Sequence, residues 1–513
     1  MRGRSGVKHE VLITVGGMPV GSIREPVGGL GRRGPSVVAI AFLVWAGAIP
    51  ALFAQRLLNT DGDLASHIFL GRKVLEHGVE VPVDWTFTVQ GGVFVAYEWL
   101  SEVVLASVAS ALGLAGVAAL ATALVAGSVA LATAFLARRI EPFYALPAAM
   151  LIAVLTAARW SARPHLFSFV CLAALLCYGT TRSRWRAPFA GALFVAWANL
   201  HPEFLYGLAV YLAYLAGDAF DERNRSSWRA NGVAALAASA GTLVNPLGWG
   251  LHLAVLRHLS DRDAFRMVDE FLPPSPGTVQ GAVFFASLAL LIALAVKARR
   301  APRWKALLPL VLAVGAAFLS ARNVALFALF ALPLALRPLL DALASHRGSF
   351  AGAFRSRLRA DQARSTTVPW IAGGSVALLA GALLSSRGIV RVLPNEFSPA
   401  VFPVAAVAFA RAEGLTGTPI FHEYTWGGYL LYAWPGQRIY IDGMANLFGS
   451  DLMKEYRALY DASAGWRQTL EARGVDALLL PPESPLARVV RGADGWTTAH
   501  ETEAAVLFTR LAP

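Results

Sequence analysis

The sequence predicts a multi-spanning α-helical membrane protein, with about eleven transmembrane helices and a small extracytoplasmic α/β domain at the C-terminal end. Three observations carry this expectation. Of the 513 residues, 56% are hydrophobic and only 15% charged, and the mean hydropathy is +0.52. So apolar a chain needs the bilayer as its solvent. Apolar runs close to the roughly 20 residues that a spanning helix requires recur along it. Beyond residue 395 these runs stop, and alternating strand and helix patterns replace them.

Taken in order, residues 1–35 are rich in Gly and Arg without an apolar period and read as a disordered cytoplasmic tail. Residues 36–390 form the transmembrane domain, with apolar runs at 36–55, 114–137, 143–157, 164–179, 186–200, 204–217, 230–245, 279–297, 304–319, 323–340 and 368–386. The first run ends Leu52-Phe53-Ala54-Gln55, a weak match to a signal-peptide cleavage site. Its length and the spans that follow mark it as a retained anchor. Cys171 and Cys177 lie six residues apart in one apolar run and face different directions on a helix, which argues against a disulfide.

Basic clusters set the orientation: Arg138-Arg139, Arg182 to Arg186, Asp218 to Arg229, Lys297 to Lys305 and Arg337 to Arg364 all read as cytoplasmic. If Trp99–Leu112 and 114–137 both crossed, Arg138-Arg139 would fall outside and every later cluster would be inverted. The stretch Trp99–Leu112 spans only about fourteen residues and opens with Glu98 and Glu102, which suits an interfacial helix better than a span. Every basic cluster then lies inside. The first loop, 56–113, and the C-terminal domain, 395–513, lie outside. The net charge of +12 follows from the same bias. No basic aromatic groove or nucleic-acid motif accompanies it, so nucleic acid is not expected as a partner.

Within 395–513 the pattern predicts a strand at Pro419–Phe421, the stretch Tyr424–Trp434, and a strand Arg438–Asp442 ending in Asp442-Gly443. Helices at 451–461 and 465–473 follow, then strands Asp476–Leu480 and Ala504–Arg510. Trp426-Gly427-Gly428-Tyr429 lacks the spacing of a phosphate-binding loop, and the chain shows no internal repeat of fixed period.

Polar residues gather on the outer side. Asp61 and Asp63 flank a glycine just beyond the first run. Such a pair can supply a general base at the membrane surface, ligands for a divalent cation, or the N-cap of a helix over Leu64–His77. One catalytic acid plus one cap is the reading adopted. His67 lies four residues after Asp63, on the same helical face. Glu98 can meet the helix dipole or act as a ligand. Arg159, Arg163 and His165 occupy one outer turn and Arg322-Asn323 another. Arginine suits a phosphate because its planar fork donates two parallel hydrogen bonds, and these arginines sit against the charge bias. His201 and Glu203, between two closely spaced runs, are polar groups near membrane depth. Asn245 to Trp249 reads as a helix stop before an interfacial helix.

With these residues in place, the chain resembles the GT-C superfamily of integral-membrane glycosyltransferases, which includes protein O-mannosyltransferases, aminoarabinose transferases and lipopolysaccharide-core transferases. The likeness rests on Asp61-Gly62-Asp63 through Glu98-Trp99-Leu100-Ser101-Glu102, Arg163-Pro164, Trp197-Ala198-Asn199-Leu200-His201, Asn245-Pro246, Gly427-Gly428-Tyr429 and Ile441-Asp442-Gly443. It points to an uncharacterised bacterial branch. It implies transfer of a sugar from a polyprenyl-phosphate-linked donor to an extracytoplasmic acceptor (glycolipid, polysaccharide or protein), with Asp61 or Asp63 activating that acceptor. From their own chemistry and position, His67, Glu98, Arg159, Arg163, His165, His201, Glu203 and Arg322 are the residues expected to bind the substrate or the lipid phosphate. The resemblance also implies membrane lipids as surroundings and residence in a bacterial cytoplasmic membrane; a divalent cation, if one takes part, would sit at Asp61 and Asp63.

The first loop departs from the better-known branches. It has neither an adjacent Asp-Glu pair nor a Pro-Pro-Leu run; adjacent Asp-Glu occurs at Asp221-Glu222 and Asp269-Glu270. The competing reading is a non-catalytic assembly protein of the envelope. Transport is disfavoured because polar residues gather at one face and no repeat relates two halves.

Overall fold

The computed structural model describes residues 34–60, 62–89, 91–138, 140–260, 271–299, 302–344 and 365–511, and two short strands, Thr14–Val15 and Met18–Pro19. Asp61, most of the 1–35 tail, Arg139, Asp269-Glu270 and much of the Arg337 to Arg364 cluster lie outside the described residues.

Every apolar run read from the sequence is helical. The bundle consists of α1 (Val37–Leu52), α2 (Ala54–Asn59), α3 (Asp63–His77), α4 (Trp99–Ala137), α5 (Pro142–Thr156), α6 (His165–Ala174), α7 (Arg186–Leu200), α8 (Phe204–Glu222), α9 (Arg225–Gly241), α10 (Gly250–Ser260), α11 (Val279–Ala298), α12 (Trp304–Leu319), α13 (Asn323–Leu329), α14 (Ala331–Ala344) and α15 (Val368–Ser386). Among the described residues, four helices are long and apolar enough to cross a membrane: Trp99–Ala137, Val279–Ala298, Asn323–Leu340 and Val368–Ser386. Shorter apolar helices accompany them at Val37–Leu52, Tyr144–Arg159, His165–Gly179 and Trp304–Leu319. The chain is a multi-pass helical membrane protein.

The helix α4 is the axis of the bundle and packs against α1, α3, α5, α6 and α15. Its two halves are separated at Gly113, whose φ of 63° and ψ of −167° break the helical run. A side chain is strained at such a φ, and a Cβ at Gly113 would also collide with the carboxamide of Asn395. Asn395 Oδ1 accepts the backbone N–H of Ala115 at 3.0 Å, which satisfies one donor of the new helix start. The Trp99–Leu112 segment is thus a helical unit of its own, about 21 Å long at 1.5 Å per residue. The run 323–340 is likewise divided, at Phe330 with φ −124° and ψ −59°.

Between α3 and α4, strands β1 (Glu80–Pro82) and β2 (Val93–Val95) form an antiparallel hairpin. After α15 come α16 (Val404–Ala412), β3 (Ile420–His422), α17 (Gly427–Ala433), α18 (Ala445–Tyr460), α19 (Trp466–Ala472), β4 (Ala477–Leu480), α20 (Pro485–Val490), β5 (Trp496–Glu501) and β6 (Val506–Arg510). The sheet order is β3-β4-β6-β5, with β3 parallel to β4 and the other pairs antiparallel. All four residues of β4 are buried, as expected of a strand covered on both faces.

One local expectation differs from what is observed. Arg438–Asp442 is not a sheet strand: Ile439 bridges in parallel to Thr86 of the first loop, and Thr88 Oγ donates to the carbonyl of Tyr440 at 2.6 Å. Tyr424–Trp434 is a short 3₁₀ turn followed by α17. One buried apolar cluster runs from Ile49 and Ile68 through Trp85 and Phe397 to Leu478, so the first loop, bundle and sheet share a core.

Replacing Asn395 with Ala leaves the Ala115 N–H without its acceptor and should cost about 1–2 kcal/mol. Gly113→Ala should cost more, about 2–4 kcal/mol, from φ strain plus the collision. Denaturation of detergent-solubilised protein measures both; equal stability of the Gly113→Ala variant and wild type would overturn this account of the kink.

Candidate active site

The helix α3 approaches its neighbours at positions without side chains. A Cβ on Gly71 would run into the backbone of Glu102, and its contact with the Ala106 side chain would be 2.8 Å. α3 therefore lies directly on the first two turns of α4. His67, four residues before Gly71, meets Glu98 and Glu102, which are one turn apart on α4. At its N-terminal end α3 meets α17. A Cβ on Gly428 would strike Ser66 and the carbonyl of Gly62, and one on Gly443 would strike the Asp63 carboxylate.

Asp63 is the first residue of α3 and does not cap it. The N-cap position is Gly62, and no side chain accepts there. The carboxylate instead lies 3.0 Å from Arg163 Nη1, at the helix end whose dipole favours negative charge. With a side chain 33% exposed, it is the most accessible acid of the centre; those of Glu98, Glu203 and Glu102 are 15%, 10% and 4% exposed.

A second chain of charges lies one turn further along α3. His67 Nδ1 is 3.3 Å from Glu102 Oε1 and 3.9 Å from Glu98 Oε2. His201 Nε2 is 3.7 Å from Glu98 Oε1, and its Nδ1 is 3.6 Å from Glu203 Oε2. Glu203 Oε1 accepts from Arg159 Nη1 at 2.7 Å, and Arg322 Nη2 lies 3.8 Å away. Of the residues expected around a phosphate, His67, Glu98, His201, Glu203, Arg159 and Arg322 thus form one continuous network. His165 stands behind it: its Nε2–H donates to the Arg159 carbonyl at 2.7 Å and holds the turn.

The scaffold around these groups is also tied down. Trp99 Nε1 donates to Asn199 Oδ1 at 2.9 Å, and Ser101 Oγ donates to the Leu200 carbonyl at 2.8 Å. Trp197 Nε1 donates to Ser168 Oγ at 2.8 Å, which in turn is 3.1 Å from His201 Nδ1. The 197–201 segment is therefore clamped between α4 and α6.

Environment sets the proton state of each group. Burial pulls His67 down, but the hydrogen bond to Glu102 and the charges of Glu98, Glu102 and Asp63 prevail, so it is held well above the ordinary imidazole value. Burial pushes Glu98 up, helped by the charges of Glu102 and Glu203 and opposed by His67 and Arg322. The two titrate as a coupled unit. Burial, with Arg322, Arg159 and His67 adding and Glu203 opposing, lowers His201 to about 3 and leaves it neutral. Glu203 is lowered despite burial, through Arg159, His201 and Arg322.

Two acids escaped assignment in the sequence reading. Glu102 is 3% exposed and belongs to the His67 cluster. Its signal was the four-residue spacing from Glu98, which places both on one helical face. Asp442, 1% exposed, accepts from Ser66 Oγ at 3.0 Å and from the Met444 N–H at 3.0 Å. Asp84, by contrast, is a surface residue paired with Lys73 at 3.0 Å. Among the described residues, the group able to offer three metal-ligand atoms is His67, Glu98 and Glu102, all within 4.8 Å of one another.

The fold and this centre define a class: a multi-pass helical membrane protein with a buried ionic network where the first loop docks on the bundle. No protein-family model and no curated protein matches the sequence. Among solved structures, ArnT from Cupriavidus metallidurans bound to undecaprenyl phosphate is similar, with 14% identity, a TM-score of 0.51, and coverage of 93% of this chain and 97% of that one. Its apo state aligns with a TM-score of 0.50 at 13% identity and the same coverage. The Archaeoglobus fulgidus oligosaccharyltransferase tethered to an acceptor peptide aligns at 0.51 and 13% identity, over 86% of this chain and 68% of that one. The chain shares the fold of these solved structures.

Burial raises Asp442 to about 7, with Asp63 adding to the shift and the Met444 N–H and Ser66 hydroxyl opposing it. An acid raised in the folded state keeps its proton there while the unfolded chain has lost it, so its ionisation penalty grows from about pH 4 to about pH 7 and then levels off. Asp442→Asn should therefore gain stability relative to wild type as pH rises through that window. Thermal unfolding at pH 5 and pH 8 tests it; a difference between variant and wild type that does not change with pH would overturn the assignment.

Proposed function

We propose that this chain is a GT-C glycosyltransferase that moves a sugar from a polyprenyl-phosphate-linked donor to an extracytoplasmic acceptor. The observation that carries the reading is Asp63: an accessible carboxylate at the start of α3, 3.0 Å from Arg163, beside a cluster that also holds Arg159 and Arg322. The fold it shares with an enzyme solved with undecaprenyl phosphate supports the same reading.

In this proposal the acceptor O–H or N–H attacks the anomeric carbon of the donor. The bond from that carbon to the phosphate oxygen breaks, and the electron pair leaves with polyprenyl phosphate. The acceptor's proton passes to the Asp63 carboxylate, a general base within reach of solvent. Arg163, Arg159 and Arg322 are the cations suited to the departing phosphate, because guanidinium groups donate paired hydrogen bonds and stay charged. Neutral His201 and ionised Glu203 orient Arg159 and Arg322. In the same proposal, the first loop 56–113, this centre and the segment 395–513 face the extracytoplasmic side of a bacterial cytoplasmic membrane. That orientation keeps the basic clusters inside.

A strain lacking the chain, complemented with Asp63→Asn, should lose the envelope glycan product by about 10²-fold or more at unchanged protein level. Asp61→Asn, made separately, assigns the other first-loop acid. Unchanged product by mass spectrometry after both replacements would sink catalysis in favour of an assembly role. In a separate measurement, Arg163→Gln should weaken undecaprenyl phosphate binding by about tenfold or more, read by thermal stabilisation of the purified protein.

A further inference from the structure

We propose that His67, Glu98 and Glu102 form a divalent-cation site, separate from the Asp63–Arg163 pair. The sequence pointed to Asp61 and Asp63 for any metal. Asp61 lies outside the described residues, and Asp63 is engaged by Arg163 at 3.0 Å. The ligand set moves one turn along α3 and onto α4.

Geometry supports the site first. The three side chains each present one ligand atom, all within 4.8 Å of one another. A cation bound at about 2.1 Å sets neighbouring ligand atoms about 3.0–3.4 Å apart. His67 Nδ1 to Glu102 Oε1 is already 3.3 Å, and His67 Nδ1 to Glu98 Oε2 is 3.9 Å. These separations exceed the 2.7–2.9 Å of a contracted ion pair. Rigid elements hold the ligands: both glutamates sit one turn apart at the start of α4, and the histidine is on α3, fixed against α4 at Gly71.

An independent observation also points to a ligand. Glu102 is 3% exposed, and its Oε2 accepts no hydrogen bond. A carboxylate oxygen buried without a donor carries a large desolvation cost that a bound cation would remove. The nearby arginines have other partners: Arg159 and Arg322 lie on Glu203, and Arg163 on Asp63. A bound divalent ion would take the place of the His67 proton between Glu98 and Glu102, since a ligating imidazole must be neutral.

The donor set narrows the ion. Two carboxylates and one imidazole suit a first-row divalent cation of the Mn²⁺ type better than Ca²⁺, which prefers an all-oxygen shell. Three protein ligands leave coordination positions open to water or to an oxygen ligand such as a phosphate.

The test uses the full chain purified without a histidine tag, stripped with chelator and titrated with Mn²⁺ under electron paramagnetic resonance. Wild type should bind one Mn²⁺ saturably, with an imidazole nitrogen coupling in the echo-modulation spectrum. His67→Gln should abolish that coupling, and Glu102→Gln should weaken binding by at least about tenfold. Asp84→Asn, a surface carboxylate outside the cluster, should leave both unchanged. If one cluster variant fails to run as a single species on gel filtration, Glu98→Gln and His67→Asn provide the same contrast. No saturable binding at millimolar Mn²⁺, bound Mn²⁺ without nitrogen coupling, or binding indifferent to the cluster variants would each overturn the site. The readout does not involve glycan transfer, so failure here and failure of the transferase reading are separate results.

Discussion

The close approach of α3 to two neighbours at once is the constraint on which the rest of the structure depends. Along one edge, Gly71 lets α3 rest on the backbone of α4 at Glu102; at the other end, Gly428 and Gly443 let α17 and the segment after it reach Ser66 and Asp63. A methyl group at any of these positions would push the elements apart. His67 would then lose Glu98 and Glu102, and Asp63 would lose its walls. Backbone packing decides whether the charged side chains meet at all.

Those charges in turn must be paired, because moving an ion out of water costs several kcal/mol unless its partners replace the lost hydration. The protein solves this at both ends of α8. At the start of that helix, Glu203 takes Arg159 and Arg322. Fifteen residues from Glu203, about 22 Å along the axis, Asp218 is fully buried and takes Arg182 at 2.9 Å, Lys305 at 3.4 Å and Arg186 at 3.8 Å. The Asp218 cluster ties helices together and leaves its acid no exposure. The Glu203 cluster belongs to a longer network that ends at a glutamate oxygen without a donor, and an accessible aspartate lies beside it. One end is closed and the other has a solvent-accessible carboxylate beside it.

The site was partly legible because charge stands out against an apolar background. Arg159, Arg163, Arg322, His201 and Glu203 were conspicuous as polar residues in tight turns between apolar runs; all but Arg163 converge on one network with His67 and Glu98, and Arg163 pairs with Asp63. Glu102 and Asp442 were harder to read. Glu102 looked like an ordinary acid at a helix start, and Asp442 like the end of a strand. Each acquires a role only when a residue far away in sequence, His67 or Ser66, is brought beside it. The strand β5 was missed for a related reason: at the sheet edge its residues are half-buried or exposed, so no apolar alternation marks it.

By itself, the sequence determined the solvent of this protein and the material of its bundle. Hydropathy summed over a run of residues is a local quantity, and every apolar run became a helix. It also determined the division of α4, because Gly113 tolerates a φ that other residues resist. Only the tertiary structure decided which strands pair, why Arg438–Asp442 joins the first loop instead of the sheet, and which acid pairs with Arg163 and which lie in the histidine cluster. The physical reason is that pairing and proton state depend on distances between residues hundreds of positions apart, such as Ser66 and Asp442. Those distances are set by close backbone packing that no single stretch of sequence encodes.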